Sequence, residues 1–219
     1  MKKILLFLVL LLNAAATFAS KTSTFIVDGV TYTYSGTTAS VTSTPSGLAH
    51  VTILESITPS DGNTYSVTSI GDYAFQGSSL TSVTIPSSVI SIGTEAFKRS
   101  GLTSVTIPSS VTSIGAGAFA QCADLTSINV DSDNPNFSSK DGVLFSKDEK
   151  TIVCYPAGYT GNSYAIPSTV TSIGEAAFSG CTKLTSITIP PSVTSIGAGA
   201  FSGSVFMSVT IPSSVSSIG

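Results

Sequence analysis

The residues that could carry chemistry are few. Cysteines stand at positions 122, 154 and 181, and the one histidine is His50. A thiol becomes a strong nucleophile when a neighbouring base takes its proton. His50 is the only imidazole able to do so, and it lies far along the chain from every cysteine, so a Cys–His pair is not expected. No cysteines share Cys-x-x-Cys spacing, which removes a common zinc arrangement. Asp131-Ser-Asp133-Asn134-Pro135-Asn136 is rich in oxygen ligands. A calcium loop of the EF-hand kind would need a donor where Pro135 sits, glycine at 136 and glutamate at 142. The chain has Pro, Asn and Gly there, so a turn rich in Asx caps is expected. No serine sits in a Gly-x-Ser-x-Gly elbow, and no glycine motif could cradle phosphate. The chain is therefore not expected to be an enzyme, and no catalytic residue, cofactor or metal ligand is assigned.

The elements that position these residues come from a repeat. Leu80-Thr-Ser-Val83-Thr-Ile85-Pro86-Ser-Ser-Val89 recurs as Leu102 to Val111 and, with small changes, as Leu184 to Val193. Each copy runs into Ser-Ile-Gly, two variable residues and Ala-Phe. The signature glycines are 71, 93, 115, 174, 197 and 219, at steps of 22, 22, 59, 23 and 22, and the matching phenylalanines are 75, 97, 119, 178 and 201. Val83 and Ile85 alternate with Ser82 and Thr84, which puts aliphatics on one face of a strand and hydroxyls on the other. Pro86 ends the strand because it cannot donate to a ladder. Gly93 is expected at a sharp turn. Glu95-Ala96-Phe97 is too short for a full helix and is expected to form one helical or 3₁₀ turn. One coil thus points Leu80, Val83, Ile85, Val89, Ile92 and Phe97 inward. Burying them is worth on the order of 9–18 kcal/mol. Ordering such a coil costs roughly 1–2 kcal/mol per residue for the backbone alone. A lone coil loses that contest, so the coils must stack.

Composition sets the surroundings. Charged residues are 10% of the 219 and the net charge is −3, which leaves no basic footprint for nucleic acid. The one long apolar run is Ile4 to Leu12, behind Lys2 and Lys3 and followed by Asn13-Ala-Ala-Ala-Thr-Phe-Ala19. That is the layout of a secretory signal peptide. Cleavage is expected after Ala19, with Ala16 as the alternative. No membrane span is expected in the mature chain. Three cysteines in an exported protein cannot all pair internally.

The stretch Leu102 to Phe119 reads Leu-Thr-Ser-Val-Thr-Ile-Pro-Ser-Ser-Val-Thr-Ser-Ile-Gly-x-x-Ala-Phe and resembles the BspA-like leucine-rich repeat. The resemblance covers about residues 67–219. It implies a β-rich α/β solenoid of 22–23-residue coils with a parallel ladder and short helical turns. It also implies a secreted or cell-surface bacterial protein, with adhesion or protein binding as the typical role, and it brings no catalytic residues.

Two segments depart from the repeat. Residues 20–66 are read as an N-terminal β cap, with two strands around Asp28-Gly29 and a first ladder strand at Val51-Thr-Ile53. A cap covers the apolar side chains and strand edges of an open solenoid end. The 59-residue step conceals an enlarged repeat at residues 131–163, read as a loop and then a β-hairpin with a charged turn. The chain stops at Gly219, halfway through a repeat, and is read as a fragment whose open end could self-associate.

Cys122 and Cys181 lie three residues after a repeat phenylalanine, where other coils carry Ser78, Ser100 and Ser204. A small buried side chain meeting a backbone group is expected there. Ser82, Ser104, Ser127, Ser186 and Ser208, with Thr84, Thr106, Asn129, Thr188 and Thr210, should line the exposed ladder face. That face is uniform and nearly uncharged, whereas selective binders usually plant aromatic or Arg anchors. Aromatic and charged residues gather instead in the enlarged repeat. Phe137, Phe145, Lys147, Asp148, Glu149, Lys150, Tyr155 and Tyr159 are therefore the candidate partner-binding residues, for a protein or cell-surface ligand. The competing function is a structural spacer or self-associating stalk.

Overall fold

The computed structural model describes residues 22–44 and 47–219, so the expected signal segment at 1–19 lies outside the described residues. Strands Ser23–Val27 and Val30–Ser35 pair antiparallel across Asp28-Gly29, both at positive φ. Thr38–Ser43 adds a third strand and then runs parallel to Tyr65–Ile70. Through that strand the N-terminal sheet is continuous with the first Ser-Ile steps of the solenoid.

Each coil has two strand positions, and the stack has two ladders. One ladder runs through the serine-threonine strands: His50–Thr52 pairs parallel with Ser82–Thr84, and Ser104–Ile107 with Ser127–Val130. The other runs through the Ser-Ile steps, Ser69↔Ser91↔Ser113 and Thr151↔Ser172↔Ser195↔Ser217. Of the six side chains expected inside the coil of Gly93, five are buried and Val83 is half-buried. Phe75, Phe97 and Phe119 stack face to face at 4.9 and 5.4 Å. A second column joins Tyr155, Phe178 and Phe201 at 5.2 and 5.6 Å.

Two expectations need correction. The segment after Ser-Ile-Gly is not helical, and no helix occurs among the described residues. It is a pair of linked turns, closed by bonds such as Lys98 N to Glu95 O (3.1 Å) and Ser100 N to Phe97 O (3.0 Å). Residues two after the signature glycine (Tyr73, Glu95, Gly117, Ala176, Gly199) and two after the phenylalanine (Gly77, Arg99, Gln121, Gly180, Gly203) have positive φ. Left-handed residues at those points stop a right-handed helix from starting. Gly93 itself is not left-handed. Its missing Cβ serves close approach instead, since a methyl there would lie 2.5 Å from Asp72 N on the preceding coil.

The left-handed sites carry a prediction. Tyr73 has φ +60 and an exposed ring, while Gly117 and Gly199 fill the same position in other coils. A left-handed non-glycine costs roughly 1–2 kcal/mol, offset by the roughly 0.5–1 kcal/mol that glycine loses in chain entropy. Tyr73→Gly is expected to stabilise the protein by about 0.5 kcal/mol, read as a higher urea midpoint at unchanged slope.

The enlarged repeat is a three-stranded meander, where one hairpin was expected. Phe137–Lys140 pairs with Val143–Ser146, which pairs with Thr151–Cys154. The added hairpin turns at Asp141-Gly142, both at positive φ, and an Asp-Gly pair is a strong hairpin signal that was legible in the sequence. Thr151–Cys154 then takes the Ser-Ile place of a normal coil, because Ile152 pairs with Ile173. Tyr155 takes the phenylalanine place, its amide donating to Ala177 O at 2.8 Å as Phe97 donates to Ala118 O.

Candidate functional site

The serine and threonine side chains of the first ladder point outward, as their alternation requires. Ser82, Thr84, Ser104, Thr106 and Asn129 are exposed, while the aliphatics between them pack inward. His50 belongs to this row, its Nδ1 lying 2.8 Å from Ser82 Oγ. Between the strands of two adjacent coils runs a groove of about 510 Å³, lined by Ser82, Thr84, Ser87, Ser104, Thr106 and Asp131 among others.

The enlarged repeat forms the end wall of this face. Ile128 N donates to Gly142 O at 2.8 Å, and Val130 N donates to Ser139 Oγ at 3.1 Å. Gly142 sits over Ser127, which makes Ser127 half-buried, unlike its counterparts at Ser82 and Ser104. Lys147 Nζ donates to Ser132 O at 3.2 Å, so the charged turn leans on the Asp131 loop beside the groove.

The loop at Asp131 is held in place by Asn134. Asn134 is fully buried. Its Nδ2 donates to Pro108 O and Val111 O, and its Oδ1 accepts from Asn136 N and Phe137 N. Asp131 Oδ1 accepts from Asp133 N at 2.9 Å, the Asx turn expected there.

The eight candidate residues divide into two groups. Phe145 and Tyr155 are buried in the second core, Tyr159 packs against that core, and Phe137 packs against the first. Lys147, Asp148 and Lys150 are exposed and Glu149 is half-buried, all on one turn. Asp148 Oδ1 accepts from Ser146 Oγ (2.7 Å) and Lys150 N (3.1 Å), and these bonds hold its carboxyl below the usual carboxylate range. The surface-available members are thus the four charged residues; Lys147 reaches the Asp131 loop through Ser132 O, whereas Lys150 O accepts from Thr171 N beside the second ladder. The ladder-face row that ends at this wall is uniform in sequence and nearly uncharged. What it contributes is a shaped groove, which depends on the stacking of coils and has no signature within one coil.

The cysteines are all free and buried. Cys122 Sγ donates to Phe97 O at 3.0 Å, and at the matching position Ser204 Oγ donates to Phe178 O at 2.7 Å. This is the small, backbone-bonded role expected of the position. Burial pushes the thiol of Cys181 up to about 12 and those of Cys122 and Cys154 upward as well.

The BspA-type leucine-rich repeat region matches in six copies, over residues 48–147 and 157–219. The chain belongs to the BspA-type leucine-rich repeat family. The match starts upstream of residue 67 because His50–Thr52 is already a ladder strand. A leucine-rich repeat protein from Eubacterium ventriosum is similar over 91% of this chain and 68% of its own, at 25% identity and a TM-score of 0.67. The pneumococcal vaccine antigen PcpA shares the fold over 88% of this chain and 71% of its own, at 20% identity and a TM-score of 0.55. No curated protein matches the chain. Among the described residues, no helix is long and apolar enough to cross a membrane.

Proposed function

We propose that this leucine-rich repeat protein is an exported, non-catalytic binding module of the bacterial cell surface, and that it adheres to partner proteins through the ladder face. The observation that carries the reading is the hydroxyl-lined groove between the coils of Ser82 and Ser104, bordered by Asp131, with Lys147 held against the adjoining loop. Ser and Thr supply adaptable hydrogen bonds, and Asp131 and Lys147 supply charge that can select a partner. The likeness to a pneumococcal vaccine antigen and the N-terminal signal layout support a surface location.

The purified mature chain should bind saturably to at least one member of a panel of extracellular-matrix and bacterial surface proteins. Thr84→Arg with Thr106→Arg should weaken that binding at least about tenfold, equivalent to about 1.4 kcal/mol. Gln76→Arg, on an exposed turn away from the face, should leave it unchanged. Absence of binding across the panel, or equal loss in both variants, would overturn the reading.

A further inference from the structure

The return from the enlarged repeat is short. Five residue steps separate the signature isoleucine from the phenylalanine in the flanking coils, Ile114 to Phe119 and Ile173 to Phe178, but three separate Ile152 from Tyr155. The coil between therefore lacks the left-handed corner that its neighbours have. Those neighbours meet across it: Gln121 N donates to Ser179 O at 3.1 Å, and Gln121 Nε2 to Ser179 Oγ at 3.3 Å. Behind this bridge a cleft of about 140 Å³ remains.

Its walls are apolar, with Ala116, Ala118, Ala120, Ala176, Val153 and Cys154 contributing, and Glu175 is its one charged lining residue. The missing corner also removes hydrogen-bond partners. In the coils of Gly71, Gly93 and Gly174 the residue two after the signature glycine and the phenylalanine both donate to the next coil, as Glu95 N does to Ala116 O and Phe97 N to Ala118 O. Gly117 and Phe119 hold those positions here, and among the described residues neither amide donates to anything. The two N–H groups are aimed where the absent corner would lie. Phe119 is buried and Gly117 half-buried, and an enclosed amide without an acceptor is unfavourable, so an acceptor from outside is favoured.

We propose that this cleft binds a small neutral molecule with a benzene-sized apolar body and a carbonyl-type oxygen, which accepts from the Gly117 and Phe119 amides. The size follows from the volume, because an apolar cavity of roughly 150 Å³ holds one benzene. The same volume is too small for a strand of peptide. Neutrality follows from Glu175 at the lining, which repels an anion, and from the apolar walls, which desolvate any charge. The site is independent of the ladder face, so either proposal can fail without the other.

The test uses benzamide as probe on the purified chain labelled with ¹⁵N. Benzamide is expected to shift the Gly117 and Phe119 amide resonances saturably. It should also slow disulfide exchange of Cys154 with dithiodipyridine by about fivefold at about four times the dissociation constant, by mass action. Cys154 is the one cysteine that lines the cleft, so it reports occupancy while Cys122 and Cys181 serve as internal controls. Benzoate should bind more weakly than benzamide. Ala116→Leu fills the cleft and should abolish both effects, and Val153→Phe does the same if the first variant does not fold. No shift at Gly117 and Phe119 up to the solubility limit of benzamide, tighter binding of benzoate, or unchanged effects in a folded filled variant would overturn the proposal.

Discussion

Asn134→Val is expected to destabilise the protein by about 2–3 kcal/mol, although it installs the residue that other coils carry at this position. Val89, Val111, Val170 and Val193 each follow the last inward residue of a ladder strand by four, and all are fully buried. Asn134 follows Val130 by the same interval and is just as buried. Its amide makes four hydrogen bonds, two given to Pro108 O and Val111 O at 2.7 and 2.9 Å, and two received from Asn136 N and Phe137 N at 2.9 and 2.8 Å. One bond of each pair decides the sign. In an ordinary coil the chain continues to Ser-Ile-Gly, whereas here it turns away into the meander, and the amides of Asn136 and Phe137 have Oδ1 as their acceptor. Valine removes the acceptor of the half-buried Phe137 amide and the donor to the buried Val111 O, at roughly 1–3 kcal/mol each, leaves the exposed Asn136 amide to solvent, and returns about 1 kcal/mol through better apolar burial. Urea denaturation should show the lower midpoint, and hydrogen exchange should show faster loss of protection at Asn136 and Phe137 than at Val111. A variant as stable as the parent would mean that the meander is held by its strand pairing and not by this side chain.

That position also marks where the sequence stops being self-explanatory. Within the regular coils a 22-residue period fixes which residues face inward, because every coil confronts a neighbour with the same shape. Leu102, Val105, Ile107 and Val111 are placed by the period alone for that reason, and all are buried. In the enlarged repeat the neighbours differ, and composition alone does not say which face an aromatic covers. Phe145 and Tyr155 look the same in sequence whether they anchor a partner or close a core, and here they close a core. The charged turn at 147–150 was legible because four consecutive charged residues have no way to enter an apolar interior unpaired. The cleft was not legible, since it depends on Ile152 pairing with Ile173, and that register is set by three strands acting together.

Gly115→Ala is expected to have the largest effect of any single methyl added to this chain, at least about 3 kcal/mol, through overpacking against backbone. The new Cβ would fall against Thr94 N, with Gly93 C at 2.6 Å and Thr94 Cα at 2.7 Å. Backbone atoms cannot rotate away as a side chain would, so the two coils must separate. Separation stretches Gly115 N to Ile92 O (2.8 Å), Glu95 N to Ala116 O (3.0 Å) and Phe97 N to Ala118 O (2.8 Å) together. It also opens the Phe97–Phe119 stack. Gly117→Ala is the informative partner. Its φ is +61, but its nearest would-be contact is at 3.5 Å, so it carries only the left-handed cost of roughly 1–2 kcal/mol. Thermal or urea unfolding of the two variants separates close approach from backbone freedom as the reason for glycine, and a milder Gly115→Ala than Gly117→Ala would refute the assignment. The chain supplies its own control. Val153 follows Ile152 as Gly115 follows Ile114 and Gly174 follows Ile173, so a valine occupies the glycine position of the enlarged repeat. Val153 lines the cleft, where the preceding coil has drawn back and no backbone waits for its side chain. Glycine is required at this position only where two coils meet, and the one coil that has lost its upstream neighbour is the one that carries a side chain there.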